Sequence, residues 1–423
     1  MLEIPQPVAG CPFVGGAAAA ADLADPGLYS AGDPHPVWSE LRAHDPVSRR
    51  SAAGGHAYWS VTKYSDADTV LRDHGTFTSE RGTLLVLLGQ DDPAGGRQMA
   101  ATDPPRHGDL REPLQRALTI KRVEAKREQI REAVLGLITP LGDGGTYDLA
   151  EQMTKMPMAV IGSLMDLPHA DRPRLIELTT AAIAPDAPRF ARPGGTRAVL
   201  KAAHRELFAY FQDLVTERQR APGDDLVSLL LRMEMDGRTL TAGEIVANCY
   251  SLLLGASVTM AQVPVTALDE LMGTAVLDDW ANDPTALASG VEEALRWSSP
   301  TNHFMRYATR DVRLRGKDIA AGDAVVVWLG SANRDEEVFD DPFTFDIRRR
   351  PNKHIAFGIG PHYCVGHTVA RVALKVVMAE LFSRFRDFAP AGPGVRLHSN
   401  IIAGWESLPV TARVRPSRAP VAY

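Results

Sequence analysis

Residues 357–366 read FGIGPHYCVG, from Phe357 to Gly366. Cys364 is one of three cysteines in 423 residues, and Cys11 and Cys249 lie far from it along the chain. So few and so scattered, they exclude a disulfide framework and suit a reducing cytoplasm in which a thiolate survives. Gly358 and Gly360 let the backbone turn tightly before the sulfur with no side chain in the way. After Gly366, the apolar positions Val369, Ala370, Ala373, Val376, Val377, Leu381 and Phe382 recur as one buried helix face. The spacing predicts a loop that presents sulfur at a helix N-terminus, where the partial positive charge favours a thiolate.

Several chemistries use a cysteine in such a setting. A dinucleotide fingerprint fails because Tyr363 occupies the third glycine position. A nucleophilic pair of Cys364 with His362 has weak support, since neighbours two apart need not face each other. Zinc and iron–sulfur sites need more ligands than one local cysteine supplies. A thiolate bound axially to haem iron needs one cysteine only, and backbone N–H groups around the sulfur tune its charge.

The rest of the chain sets the frame. Apolar residues at 45% and charged residues at 23% describe an ordinary globular protein. A net charge of −6 gives no basic field for nucleic acid or an anionic membrane, and no apolar run at the N-terminus is long enough for a signal peptide or span. Neither repeats nor Ser- or Gly-rich linkers divide the sequence, so one catalytic unit is expected over 31–423 after a loosely ordered 1–30. Val199, Leu200, Ala203, Leu207, Phe208, Phe211, Leu214 and Val215 form one helical stripe, and many segments read likewise. Strand signals are short and late, at Val312–Leu314 and from Ala324 to Gly330, so the chain reads as mainly α with small β-sheets. The breaker cluster Pro185–Gly195 reads as a surface loop or a mobile lid.

FGIGPHYCVG resembles the haem loop of the cytochrome P450 family, Phe-Gly-x-Gly-x-His-x-Cys-x-Gly, at every fixed position. Glu293-Ala-Leu-Arg296 is similar to the family's Glu-x-x-Arg helix motif, and FDIRR from Phe345 resembles the segment before the haem loop. Taken alone, Glu293 and Arg296 would be an ordinary i, i+3 surface pair. The resemblance implies instead a buried structural triad completed by Arg349, and a P450 fold. It also implies Cys364 as axial ligand in a loop that includes Phe357, Gly358 and Gly366. The donors to the haem propionates would be His107, Arg111, Arg306 and His362.

LTAGEIVANCYSLLLGASVTM opens with a capping box at Thr241 and Glu244 and resembles the family's long central helix. The family pattern Ala/Gly-Gly-x-Asp/Glu-Thr falls on Gly255-Ala256-Ser257-Val258-Thr259. Thr259 is kept, but Val258 stands where the acid belongs, and Pro264 removes a helix hydrogen bond to Met260. Thr259 and Ser257 are the catalytic candidates, although a mid-helix Thr commonly only bonds back to the preceding turn.

The resemblance further implies a haem b monooxygenase that inserts one atom of O2 into a small organic molecule. Electrons would come from NAD(P)H through ferredoxin reductase and ferredoxin, reaching a cytoplasmic monomer with no nucleic-acid or membrane partner. Leu254, Ala256, Thr301, Asn302, Phe304, Ile401 and Ile402 are expected to line the pocket, with the 83–100 region and Pro185–Gly195 as mobile walls. Arg116, Lys121, Arg122, Arg348, Arg350 and Lys353 fall where a redox partner would dock. Composition associates the chain with tailoring of secondary metabolites. The missing acid keeps a peroxide-using, coupling or epoxidising oxidase open, and a non-catalytic haem-binding sensor or carrier is the alternative from another class.

Overall fold

The computed structural model describes residues 21–52 and 54–416, so Cys11 lies outside the described residues. The long apolar periodicities become helices and the short β-branched runs become small sheets, as expected. Of the segment expected to be loosely ordered, residues 21–30 are packed. Pro26–Ser30 is a short helix capped by Asp25, Leu23 and Tyr29 are buried, and the Tyr29 hydroxyl donates to the Leu23 carbonyl at 2.8 Å. Residues 21–30 thus pack against the unit expected over 31–423, Leu23 and Tyr29 joining one of its core clusters.

A five-stranded sheet supports one side of the site. Its order is Val47–Ser51, Ala57–Val61, Ala324–Trp328, His303–Ala308, Phe77–Thr78. The fully buried run Ala324–Trp328 sits in the middle, parallel to Ala57–Val61 and antiparallel to His303–Ala308, with Val327 opposite Phe304 and Val325 opposite Arg306. Side chains alternate across a strand, so Phe304 and Arg306 share one face while Met305 and Tyr307 pack into the cluster beneath.

Helices form the remaining walls. Gly195–Arg220 buries Val199, Ala203, Leu207, Phe211, Leu214 and Val215 in the main core. Leu200 and Phe208, expected on the same stripe, instead face a cavity, and Phe208 is 40% exposed. Ala242–Thr259 is the central helix. Its capping box is present: Glu244 N–H donates to Thr241 Oγ1 at 3.3 Å, and Thr241 N–H donates to the Glu244 carboxylate at 2.8 Å. The helix ends at Thr259 and a second, Gln262–Leu271, starts two residues before Pro264, which has no N–H to continue the ladder from Met260. The stretch Ala242–Leu271 is long and apolar enough to cross a membrane, yet it is mostly buried inside the protein.

The Pro185–Gly195 loop is tied down. Pro188–Phe190 forms a 3-10 turn, Ala187 is buried, and Arg189 pairs with Glu406 at 3.0 Å. It does not line the cavity; its flanks, Ile183 and Thr196, do. The segment is a largely exposed surface loop, and the expectation that it walls the cavity is corrected to a loop beside the wall.

Candidate active site around Cys364

The glycine loop has the shape its sequence requires. Gly358 and Gly360 have φ of +71° and +74°, a region that favours glycine. A Cβ on Gly360 would stand 2.7 Å from the Leu71 carbonyl oxygen, so this position also needs the missing side chain for space. Cys364 N–H donates to the Phe357 carbonyl at 2.8 Å. The sulfur lies just before the helix His367–Arg384, which is capped at Gly366. Burial raises the Cys364 pKa, while the Gly366 N–H and the guanidinium groups of Arg111 and Arg371 oppose that shift. A cation at the sulfur would complete the stabilisation of a thiolate.

Cys364 opens on a cavity of about 1060 Å³. His107 and Arg111 from the helix Arg106–Ala117, Arg306 from the strand His303–Ala308 and His362 from the loop before the sulfur line it together. Arg306 is 3% exposed, and burial lowers its pKa to about 10. Its Nη1 donates to the Met305 carbonyl at 2.8 Å, and Arg111 Nη2 donates to the Tyr363 carbonyl. Among the described residues neither guanidinium has a carboxylate within ion-pair distance. The rings of His107 and His362 lie 4.4 Å apart. His362 Nε2 is 3.1 Å from Ser79 Oγ and 3.7 Å from Asp103 Oδ1. His107 Nε2 is buried with no partner, and burial lowers that imidazole to about 3. Two uncompensated guanidinium groups and an orphaned imidazole nitrogen beside a large apolar space fit an apolar group carrying two carboxylates. The residues present therefore fit haem.

The cavity's far side is the central helix. Thr259 faces it, as do Leu254, Ala256 and Val258. Thr259 Oγ1 donates to the Gly255 carbonyl at 2.9 Å, so the hydroxyl is back-bonded yet keeps its lone pairs toward the cavity. Ser257 does not reach the cavity: its Oγ is buried without a partner on another side of the helix. Thr301, Phe304, Ile401 and Ile402 line the cavity as expected, whereas Asn302 does not. Asn302 is buried, its N–H donating to the Ile401 carbonyl and its carbonyl accepting from Leu329 N–H, both at 2.8 Å. Both candidates are corrected to residues outside the pocket. The 83–100 region does supply cavity lining, including Leu84, Val86 and Asp91.

Glu293, Arg296 and Arg349 come together under the loop. Arg296 Nε and Nη2 donate to Glu293 at 2.8 and 2.7 Å, and Arg349 Nε lies 3.2 Å from each carboxylate oxygen. Arg296 also donates to the carbonyls of Asn333 and Pro342. The triad is buried and hydrogen-bonded throughout, the condition under which buried charge is tolerated.

A second network escaped the sequence reading. Glu292 accepts from Arg371 Nε and Nη2 at 2.7 and 2.8 Å and lies 3.1 Å from His354 Nε2. Arg371 covers the Phe357 ring at 4.6 Å and donates to the Tyr363 hydroxyl at 3.2 Å. The adjacent acid in the Glu292-Glu293 pair was the available signal. Of the cations expected to meet a redox partner, Arg116 is paired with Glu112 and Arg348 with Asp279 and Asp283.

A lone thiol at the wall of a large apolar cavity, flanked by cations sufficient for a dianion, is the arrangement of a haem-thiolate protein. A family model described as Cytochrome P450 matches residues 42–274 and 285–395, and the chain belongs to that family. It is thereby a haem-iron oxidoreductase of the monooxygenase class. Cytochrome P450 NovI of Streptomyces niveus is 35% identical over 395 residues, covering 92% of this chain and 95% of NovI. Cytochrome P450 monooxygenase PikC of Streptomyces venezuelae is 33% identical over 401 residues, covering 93% and 94%. The crystal structure of P450 OxyD, involved in the biosynthesis of vancomycin-type antibiotics, superposes with a TM-score of 0.82 at 33% identity, covering 93% of this chain and all of OxyD.

Proposed function

We propose that this chain is a cytoplasmic tailoring monooxygenase, active as a monomer through a single catalytic domain over 31–423, that oxidises a small organic secondary metabolite. The observation carrying this reading is that Cys364, His107, Arg111, Arg306, His362 and Thr259 all open on one cavity. OxyD, described as involved in the biosynthesis of vancomycin-type antibiotics, supports the substrate class, and PikC, named a monooxygenase, the reaction class.

Cys364 would hold the iron, and His107, Arg111, Arg306 and His362 the propionates, with Phe357, Gly358 and Gly366 shaping the loop. Haem bound there would supply reductive activation of O2 and insertion of one oxygen atom. Leu254, Ala256, Phe304, Ile401 and Ile402 exclude water and orient the substrate by shape. Thr259 acts as an acceptor: its own proton is committed to the Gly255 carbonyl, so the hydroxyl holds a water by that water's O–H. Val258 has no ionisable proton to pass on and Ser257 faces away. Protons therefore reach the cavity through the Thr259-held water or a polar group of the substrate. Electrons would come singly from NAD(P)H through ferredoxin reductase and ferredoxin, which Lys121, Arg122, Arg350 and Lys353 would help to seat.

Val258 favours a second reading, a peroxide-using, coupling or epoxidising oxidase. Product formed with NADPH and redox partners, compared with peroxide alone, separates the two; binding without turnover would indicate a sensor or carrier. The ligand assignment is tested by Cys364→Ser, expected to lose the red-shifted Soret band of the reduced carbon monoxide adduct, while Cys249→Ser keeps it. An unchanged band in Cys364→Ser ends the reading.

A further inference from the structure

With Arg111 and Arg306 assigned to the haem, the cavity retains a second set of cations. Arg197, Lys201 and Arg205 line it from the helix Gly195–Arg220 and are exposed, which places them at its mouth. Their four-residue spacing puts them on one helix face. Every neighbour of Lys201 at three or four residues is Ala198, Arg197, His204 or Arg205, so no acid on the helix compensates them. Like charges at this spacing destabilise a helix, and none of the three has an ion-pair partner among the described residues. The acid Glu206 on the same helix is turned away, pairing with Arg174 at 2.6 Å. Asp91 and Asp92, from the 83–100 segment, line the same cavity with the opposite charge, Asp92 close enough to Tyr250 to raise the pKa of its hydroxyl.

The wall between mouth and sulfur is apolar. Leu200 continues the helix face inward while Phe208, 40% exposed, borders the mouth, and Leu254, Ala256 and Val258 continue the apolar lining on the central helix. His204 Nε2 lies 3.0 Å from the Tyr250 hydroxyl, which joins the basic stripe to the central helix at Tyr250. From Tyr250 to Thr259 is nine helical residues, about 13.5 Å at 1.5 Å per residue.

We propose that the substrate is an elongated amphiphile with an anionic group, a carboxylate or phosphate, held at the mouth by Arg197, Lys201 and Arg205. Its apolar body runs inward, and the position oxidised lies on the order of 13 Å from the anion. Asp91 and Asp92 repel the anion from their own part of the lining and so leave the three cations as its seat. The proposal rests on the monooxygenase reading, because that reading assigns the inner cations to haem.

The test uses the holoenzyme with dodecanoate, dodecyl phosphate and dodecanamide, followed by the haem spin-state shift and by titration calorimetry. Exposed ion pairs are individually weak, so the two anions are expected to bind about tenfold more tightly than the amide at low salt. That advantage should shrink toward 1 M salt, where the Debye length is about 3 Å. The combined variant Arg197→Gln, Lys201→Gln, Arg205→Gln should lose the preference while keeping amide affinity, and Asp91→Asn with Asp92→Asn should increase it. The tighter of the two anions identifies the head group. Equal affinities for acid and amide, an unchanged preference in the combined variant, or no heat with any probe overturns the proposal. Failure of the haem-thiolate reading is seen separately, as loss of the carbon monoxide band's dependence on Cys364, and calorimetry reads the anion preference without that band.

Discussion

Glu293→Gln isolates the energetic role of the buried triad. Glu293 and Arg296 are both 0% exposed and Arg349 is 9% exposed. The carboxylate accepts from Arg296, from Arg349, from Asp346 N–H at 2.9 Å and from Asn352 Nδ2 at 3.0 Å. Glutamine removes the charge and turns one acceptor into an N–H2 aimed at donors. Two guanidinium groups are then left without a counter-ion, and removing one member of a buried ion pair costs about 3–5 kcal/mol. That is a large share of a stability of about 5–15 kcal/mol. Urea unfolding followed by circular dichroism should show the midpoint falling by about 1 M or more. Glu292→Gln, at a site whose side chain is 28% exposed, should cost less. Adding Arg349→Met to Glu293→Gln removes one stranded charge, so the pair should cost less than the sum of the singles. A loss under about 1 kcal/mol in Glu293→Gln, or strict additivity in the pair, would refute the account.

Thr259→Ala should divert NADPH consumption from product to peroxide, and direct supply of peroxide should recover product; Ser257→Ala should leave product per NADPH unchanged because its hydroxyl faces away from the cavity. His303 accepts from Leu85 N–H and lies 3.0 Å from the Asn400 carbonyl, and burial lowers its pKa from 6.5 to about 4. Its contribution is therefore present above pH 6.5 and is lost as pH falls toward about 4, up to about 3 kcal/mol, and His303→Gln should flatten stability across that window in urea titrations. Gly360→Ala, with its strained φ and its approach to the Leu71 carbonyl, should lower stability by about 1–3 kcal/mol in the same assay.

Much of the site was legible because its parts are local. The loop around Cys364 announces itself by glycines that only a tight turn requires, and Glu293 with Arg296 by their spacing. Arg349 was reached through the resemblance. The errors have geometric causes. Ser257 stands two residues from Thr259, and such neighbours point to different sides of a helix. Asn302 was grouped with Thr301 and Phe304, but the regular pleat begins only at His303, so alternation could not be carried back to it. The Glu292–Arg371 contact joins residues 79 apart, and neither carries a local pattern that names the other. The stripe on Gly195–Arg220 was read as one face, whereas Leu200 and Phe208 border an empty volume that periodicity cannot distinguish from core.

The strand order of the main sheet has a consequence for how the protein is made. Strand Ala57–Val61 is bordered on one side by Val47–Ser51 and on the other by Ala324–Trp328. During synthesis it must wait for a partner more than 250 residues downstream, roughly 15–50 s at about 5–20 residues per second. The wait exposes one hydrogen-bonding edge of a nascent hairpin for that whole interval, a standing invitation to mispairing. Cys364 emerges later still, long after His107 and Arg111, so a haem held by all three would be locked in only after residue 364 has been made. Expression in a host that outpaces its own porphyrin supply should therefore yield a folded-looking, colourless fraction formed after translation rather than during it.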